Sequence, residues 1–138
     1  MAKSERRKTG DKGEDVASKY LEKRGYRVLE RNYWKPWGEI DIVAKNGSIL
    51  SFVEVKSVSL PIGEDISRGT ILGEGGYKMR PEENVHPAKI KRLNRAIESY
   101  LLEKQVSEKQ EWQIDVVCVY LDLEAKKARV QLLQNIVL

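Results

Sequence analysis

The sequence predicts an α/β domain in the order αβββαββ, a mixed central sheet flanked by helices. Three observations carry that expectation. Apolar residues recur at helical spacing in two separate stretches, Asp11–Arg24 and Pro87–Lys104. Between them, strand-like segments surround Asn46-Gly47, the strongest short-range hairpin signal. Beyond the second helix, Trp112–Leu121 is an apolar run of the buried-strand kind.

Each element has its own grounds. In Asp11–Arg24 the stripe is Val16, Ala17, Tyr20 and Leu21, and Gly25 supplies a C-terminal stop. Tyr26–Tyr33, Gly38–Lys45 and Ser48–Val58 read as three strands in a meander. Pro87 suits the first residue of the second helix, whose stripe is Ile90, Leu93, Ile97, Tyr100 and Leu101. Trp112–Leu121 follows as a fourth strand and Ala128–Gln134 as a fifth. A helix crossing from the meander to a further strand makes the sheet mixed.

The 138 residues fit a single domain, 1–138, with one core. Residues 1–10 are expected to be a flexible N-terminus and 59–86 a long loop, because Pro61–Pro87 holds five of the 10 glycines and three of the 4 prolines. Long loops inside a compact domain are commonly functional or disordered. At 41% hydrophobic and 33% charged, the composition is that of a globular chain rather than a disordered one. The longest apolar run, Val116–Leu121, is too short to span a bilayer, and the basic opening leads into no signal-peptide core. One cysteine, Cys118, leaves no intramolecular disulfide and fits a reducing cytoplasm. One histidine and one cysteine exclude zinc fingers and haem attachment. Carboxylates, lysines and arginines remain for chemistry.

The net charge of +4 says less than its distribution. Arg7 and Lys8 belong to a basic opening, and Lys89, Lys91, Arg92 and Arg95 fall within an acid-free stretch. Such clusters attract polyanions, nucleic acid first among them, although two solvated patches account for the same pattern. In the second helix the cations crowd the first turns, where the macrodipole disfavours them by about 0.3–1 kcal/mol each. A phosphate held there by Lys89 or Lys91 would offset that conflict.

The hairpin concentrates the carboxylates. With Asn46-Gly47 as a two-residue turn, Lys45 faces Ser48, Asp41 faces Phe52 and Glu39 faces Glu54. One face then carries Glu39, Asp41 and Val43 with Leu50, Phe52, Glu54 and Lys56. The other carries Ile40, Ile42 and Ala44 with Ile49, Ser51, Val53 and Val55, an almost wholly apolar set that belongs in the core. Asp41 and Glu54 become diagonal neighbours, roughly 7–8 Å apart, from which two carboxylates can share one divalent ion. The bland alternative is that Glu54 and Lys56 are ordinary polar residues of an exposed strand.

Other residues stay open on these grounds. Glu14 borders the packing face of the first helix, either as a further ligand or as an acid compensating the helix dipole. Tyr33, Trp34 and Trp37 either stack on bases or close the core, with core preferred for at least one. His86 reads as a helix-start residue and Cys118 as a buried small hydrophobe. Asp115 interrupts an apolar strand, as a partner of a buried cation or as support for the site.

Gly38-Glu39-Ile40-Asp41-Ile42-Val43-Ala44 followed by Phe52-Val53-Glu54-Val55-Lys56 resembles the D…ExK core of the PD-(D/E)xK nuclease superfamily. Gly13-Glu14-x-x-Ala17, Leu29-Glu30-Arg31-Asn32 and Asp115-Val116-Val117 narrow the resemblance to the YraN-like bacterial family of predicted endonucleases, distantly similar to archaeal Holliday junction resolvases. The resemblance covers nearly the whole chain. It implies a restriction-endonuclease-like core, αβββαβ(β). It implies Asp41 and Glu54 as ligands of Mg²⁺ or Mn²⁺ with the Val55 carbonyl, Glu14 as the helix-borne acid, and Lys56 as the residue that orients the attacking water or stabilises developing charge. The segment after Val58 departs from the family by its length.

The expected function is metal-dependent hydrolysis of phosphodiester bonds in DNA, branched or junction DNA included. The catalytic set is Glu14, Asp41, Glu54 and Lys56, with Lys89, Lys91, Arg92, Arg7 and Lys8 on the nucleic acid. No membrane partner is expected, and analogy with resolvases suggests a homodimer. The alternatives are a catalytically silent nucleic-acid-binding adaptor that keeps the fold, and a protein-interaction domain using the long loop.

Overall fold

A computed structural model of the chain describes residues 5–59, 87–122 and 124–136, of which 5–9 and 87 are described by their backbone alone. The elements are α1 (Glu5–Lys23), β1 (Arg27–Lys35), β2 (Gly38–Asn46), β3 (Ile49–Ser59), α2 (Pro87–Glu103), β4 (Trp112–Asp122) and β5 (Lys127–Leu133). Their order is the one the sequence predicts. α1 begins earlier than Asp11, since residues such as Glu5, Arg6 and Arg7 favour helix by intrinsic propensity and need no apolar stripe to announce them. Residues 1–4 of the expected flexible N-terminus, and 60–86 of the expected loop with His86, lie outside the described residues.

The strands form one sheet in the order β1-β2-β3-β4-β5. β1, β2 and β3 are antiparallel, β3 and β4 run parallel in register from Leu50↔Trp112 to Ser59↔Leu121, and β5 returns antiparallel to β4. A parallel step needs a long crossover, which contains α2. The result is a mixed α/β sheet with two helices, consistent with a restriction-endonuclease-like core. No helix among the described residues is long and apolar enough to cross a membrane.

The helices cover opposite faces. Ala17, Leu21 and Tyr26, at and just beyond the end of α1, pack with Ile42, Ala44, Val53, Val117 and Val119. Leu93, Ala96, Ile97 and Tyr100 of α2 pack with Val43, Leu50 and Phe52, the alternate residues of the same strands. Phe52 is fully buried and stands edge-on to Tyr100 at 5.5 Å; burying such a side chain contributes about 1.5–3 kcal/mol. Tyr33 joins this core, while Trp34 and Trp37 stay exposed. Cys118 is buried.

α1 ends as its sequence predicts. Gly25 N–H donates to Glu22 C=O and Tyr26 N–H to Leu21 C=O, both at 3.0 Å, the paired bonds of a Schellman cap. Tyr26 and Leu21 then meet in the core, which aims the chain into β1.

Two features of the hairpin differ from expectation. The turn is Gly47-Ser48, not Asn46-Gly47: Asn46 pairs with Ile49, and Phe52 faces Val43 rather than Asp41. Gly47 alone in this turn has a positive φ, 61°, the pattern of a turn with glycine at its first central position, whereas an Asn-Gly turn needs positive φ at both residues. Because the slip is two residues, the faces are unchanged, with one exception. Ile40 packs with Val43 and Phe52 on the α2 side rather than with Ile42. The β2–β3 pairing ends at Ile42↔Val53, so β2 is free of β3 at Asp41 and alternation breaks there.

Candidate functional site

The site lies where β2 and β3 part. The last ladder pair, Ile42↔Val53, is followed on one strand by Asp41 and on the other by Glu54, so the two carboxylates are adjacent across the fork rather than diagonal. Asp41 Oδ2 accepts the backbone N–H of Val55 at 2.8 Å, a bond that the departing ladder no longer makes. Glu54 is buried and its Oε1 is ion-paired with Lys89 Nζ from the first turn of α2.

Two glycines bring the helices in. A Cβ on Gly13 would stand 1.7 Å from Ser57 Oγ and 2.7 Å from Ser57 Cβ, so α1 lies against β3 one residue before Glu14. A Cβ on Gly38 would stand 1.9 Å from Arg92 C=O, so α2 lies equally close to the start of β2. Bulk at either position would push its helix, with Glu14 or Lys89 on it, away from the fork.

The elements enclose an open cavity of about 520 Å³, lined by Gly10, Glu14, Glu39, Asp41, Glu54, Val55, Ser57, Val58, Ser59 and Lys89. Glu14, Asp41 and Glu54, named from the sequence, thus meet in one place, with Glu39 at the exposed rim. Lys56 is half-buried two residues beyond Glu54, opposite Cys118 of β4, and is not among the lining residues. Lys91 and Arg92 are exposed on α2. Lys89, a candidate phosphate contact by sequence, instead holds Glu54. Arg7 and Lys8 lie in the first turns of α1, and only their backbone is described.

The electrostatics follow from four carboxylates and one ammonium around a single cavity. Burial pushes the Asp41 carboxyl well above the usual carboxylate range, and the charge of Glu54 pushes it further, against the pull of the Val55 N–H. Burial also raises Glu14, opposed by the Arg31 guanidinium and a bond from Asn32. Burial works against the Lys89 ammonium, but the charges of Glu54, Asp41 and Glu39 outweigh it and raise its pKa.

Asn32 and Arg31 are the site residues that sequence reasoning did not single out for a role. Asn32 sits at φ 54°, and in the orientation that satisfies both ends of its amide the nitrogen donates to the two Glu14 oxygens at 3.0 and 3.1 Å. Arg31 Nη2 lies 3.7 Å from Glu14 and 2.9 Å from Asp15. Their only sequence signal was the Leu29-Glu30-Arg31-Asn32 string, which does not say where it points.

Asp115 is settled as a structural carboxylate. Fully buried, it accepts from Ser51 Oγ, from Gln113 Nε2 at 2.8 Å, from the Asn135 N–H at 2.8 Å and from Tyr26 Oη at 3.5 Å. These donors tie Tyr26, just before β1, to β3, β4 and the C-terminal segment, with no cation among them.

The donor set of the cavity is hard oxygen throughout, which suits Mg²⁺ or Mn²⁺ rather than a soft metal. Among the described residues no three His, Cys, Asp or Glu side chains form a cage by themselves. A magnesium site needs only one or two carboxylates, the remaining positions being filled by water and phosphate. Asp41 and Glu54 meet that requirement.

The family model described as "Uncharacterised protein family UPF0102" matches residues 13–119, from Gly13 at the close approach of α1 to the later part of β4. The chain belongs to the UPF0102 family. A UPF0102 protein of Campylobacter lari is 34% identical over 127 residues, 92% of this chain and 91% of that one. A UPF0102 protein of Carboxydothermus hydrogenoformans is 43% identical over 98 residues, 71% of this chain and 70% of that one. One from Wolinella succinogenes is 33% identical over 101 residues, 73% and 77% of the two chains. The UPF0102 match covers both carboxylates of the fork, Glu14, Asn32 and the whole of α2.

Proposed function

We propose that this UPF0102 chain is a metal-dependent endonuclease hydrolysing phosphodiester bonds in DNA, branched or junction DNA included. The observation that carries the reading is the convergence of Asp41 and Glu54 at the fork between β2 and β3, open to solvent and overlooked by Glu14. The charge of the buried Glu54 raises the cost of ionising the half-buried Asp41, and a divalent cation would offset that repulsion.

In this reading Asp41 and Glu54 hold Mg²⁺ or Mn²⁺, with the Val55 carbonyl as a further oxygen. The chemistry such a cation supplies when bound is a lowered water pKa and neutralisation of charge developing at phosphorus. Lys56, two residues beyond Glu54 on β3, orients the attacking water or stabilises developing charge, and Glu14 is the helix-borne acid of the site. Val55 N–H keeps Asp41 turned toward Glu54, so the pair needs little reorganisation. Lys91 and Arg92 hold the phosphate backbone without reading bases, from the exposed side of α2. A homodimer and a cytoplasmic location belong to the same proposal.

The second reading, a catalytically silent adaptor, draws on the Lys89–Glu54 ion pair, which already neutralises one ligand. The test is cleavage of labelled single-stranded, duplex, flap and four-way-junction DNA in Mg²⁺ or Mn²⁺ by wild type, Asp41→Ala, Glu54→Ala and Lys56→Ala. Metal-dependent cutting by wild type that Asp41→Ala and Glu54→Ala both lose is expected, with Lys56→Ala slower by about 10²-fold or more. Binding without cutting, unaltered by the substitutions, would move the protein to the adaptor class.

A further inference from the structure

We infer that Lys89 is a built-in counter-cation of this site, occupying Glu54 until a divalent ion displaces it. From the proposed function the inference takes only that a divalent cation binds between Asp41 and Glu54, and it does not require cleavage.

Glu54 is buried, with a side chain 7% exposed, and a buried carboxylate without a partner is costly. Its described partner is the Lys89 ammonium, which reaches it from another element of the fold. The lysine stands in the first turn of α2, where no acid is present and the helix dipole works against a cation. The position therefore gains nothing locally; its compensation comes from across the fork. Gly38 sets the distance, because the approach of β2 to Arg92 C=O seats the first turns of α2 against the site.

Both cations draw on the same carboxylate. Lys89 Nζ is on Glu54 Oε1, the carboxylate that faces the cavity together with Asp41. An ammonium and a divalent ion held on one carboxylate would repel each other strongly at that range in a partly buried setting. Occupancy is therefore exclusive, and the lysine swings toward its exposed side, its side chain being 42% exposed already. Two consequences follow. Without metal, the lysine stabilises the fold by neutralising Glu54. With metal, it lowers affinity by the free energy of its own displacement.

The experiment measures Mn²⁺ binding by calorimetry, without DNA, for wild type, Lys89→Met, Lys89→Gln and the exposed control Lys23→Met in the last turn of α1, which removes the same charge elsewhere. Thermal unfolding is followed with and without Mn²⁺. Lys89→Met is expected to bind Mn²⁺ at least tenfold more tightly than Lys23→Met, to melt lower without metal, and to gain more from Mn²⁺ than wild type does. Lys89→Gln, which keeps a hydrogen-bond donor for Glu54, serves if Lys89→Met does not fold, with the same tightening expected. Equal Mn²⁺ affinity in the Lys89 and Lys23 variants would overturn the inference, as would absence of Mn²⁺ binding in every protein. Tighter Mn²⁺ binding without any DNA cleavage would uphold it while ending the nuclease reading.

Discussion

The Asp41 carboxylate accepts the Val55 N–H at 2.8 Å, so the first acid of the site is held by the residue adjoining the second. That bond takes the place of a ladder partner where β2 leaves β3. It turns a carboxylate toward Glu54 at a cost that the rest of the fold must carry, since burial and the Glu54 charge both raise the Asp41 pKa.

Asp41→Asn should therefore stabilise the metal-free protein at neutral pH. A carboxyl whose folded pKa lies above its unfolded value contributes stability below the unfolded value and loses it as pH rises through the folded one. Wild type should lose stability across that rise, and the asparagine variant, whose oxygen can still accept the Val55 N–H, should not. A gain of roughly 0.5–2 kcal/mol at pH 7, the usual scale for relieving a functional site, is expected in urea unfolding. Equal stability of the two proteins at pH 7 would show that the Asp41 charge is already compensated.

Asn32→Gly should separate the positioning of Glu14 from the fold. Glycine accepts the φ of 54° without strain, so only the amide is lost. The Asn32 bond opposes the burial that raises Glu14, and its loss should move the Glu14 titration upward, as followed by carboxyl NMR. Metal-dependent cleavage should fall by about 10–100-fold, the scale on which supporting hydrogen bonds act. An unmoved Glu14 titration would remove Asn32 from the site.

Gly13→Ala should destabilise the protein by about 1–3 kcal/mol through overpacking, despite the better helix propensity of alanine. The new methyl meets Ser57 Oγ and Cβ, and the next atom beyond them is Ser57 Cα at 3.8 Å. Adding Ser57→Gly should thus recover part of the loss. Urea midpoints of the single and double variants decide it; no recovery in the double variant would mean that α1 rests elsewhere.

Replacing both Lys91 and Arg92 with alanine should weaken DNA binding about equally for all sequences. The log–log dependence of affinity on salt should become shallower by about 0.9 for each phosphate that is no longer neutralised. Fluorescence anisotropy across a salt series measures the slope. An unchanged slope would place the DNA path away from α2.

The legible part of the fold was the periodic part. Elements, their order and the division of the hairpin into two faces were readable because burial repeats every two residues in a strand and every 3.6 in a helix. The turn was read one residue early, since Asn46-Gly47 and Gly47-Ser48 both place glycine in the loop and preserve the faces. Ile40 could not be read correctly, because alternation ends where the two strands part. Residues of the candidate site were legible where they share the hairpin, as Asp41 and Glu54 do. They were not legible where partners come from distant elements, as with Lys89 on Glu54 and Asn32 on Glu14.

By itself, then, the amino-acid order determined an αβββαββ chain with a carboxylate-bearing hairpin, since those features depend on neighbours a few residues apart. Only the tertiary structure decided that Asp41 and Glu54 stand adjacent rather than diagonal, that a lysine on α2 closes the pair, and that Asp115 is structural. The reason is physical: charge compensation and close helix approach act through space, and local spacing does not encode which distant side chain will occupy the gap.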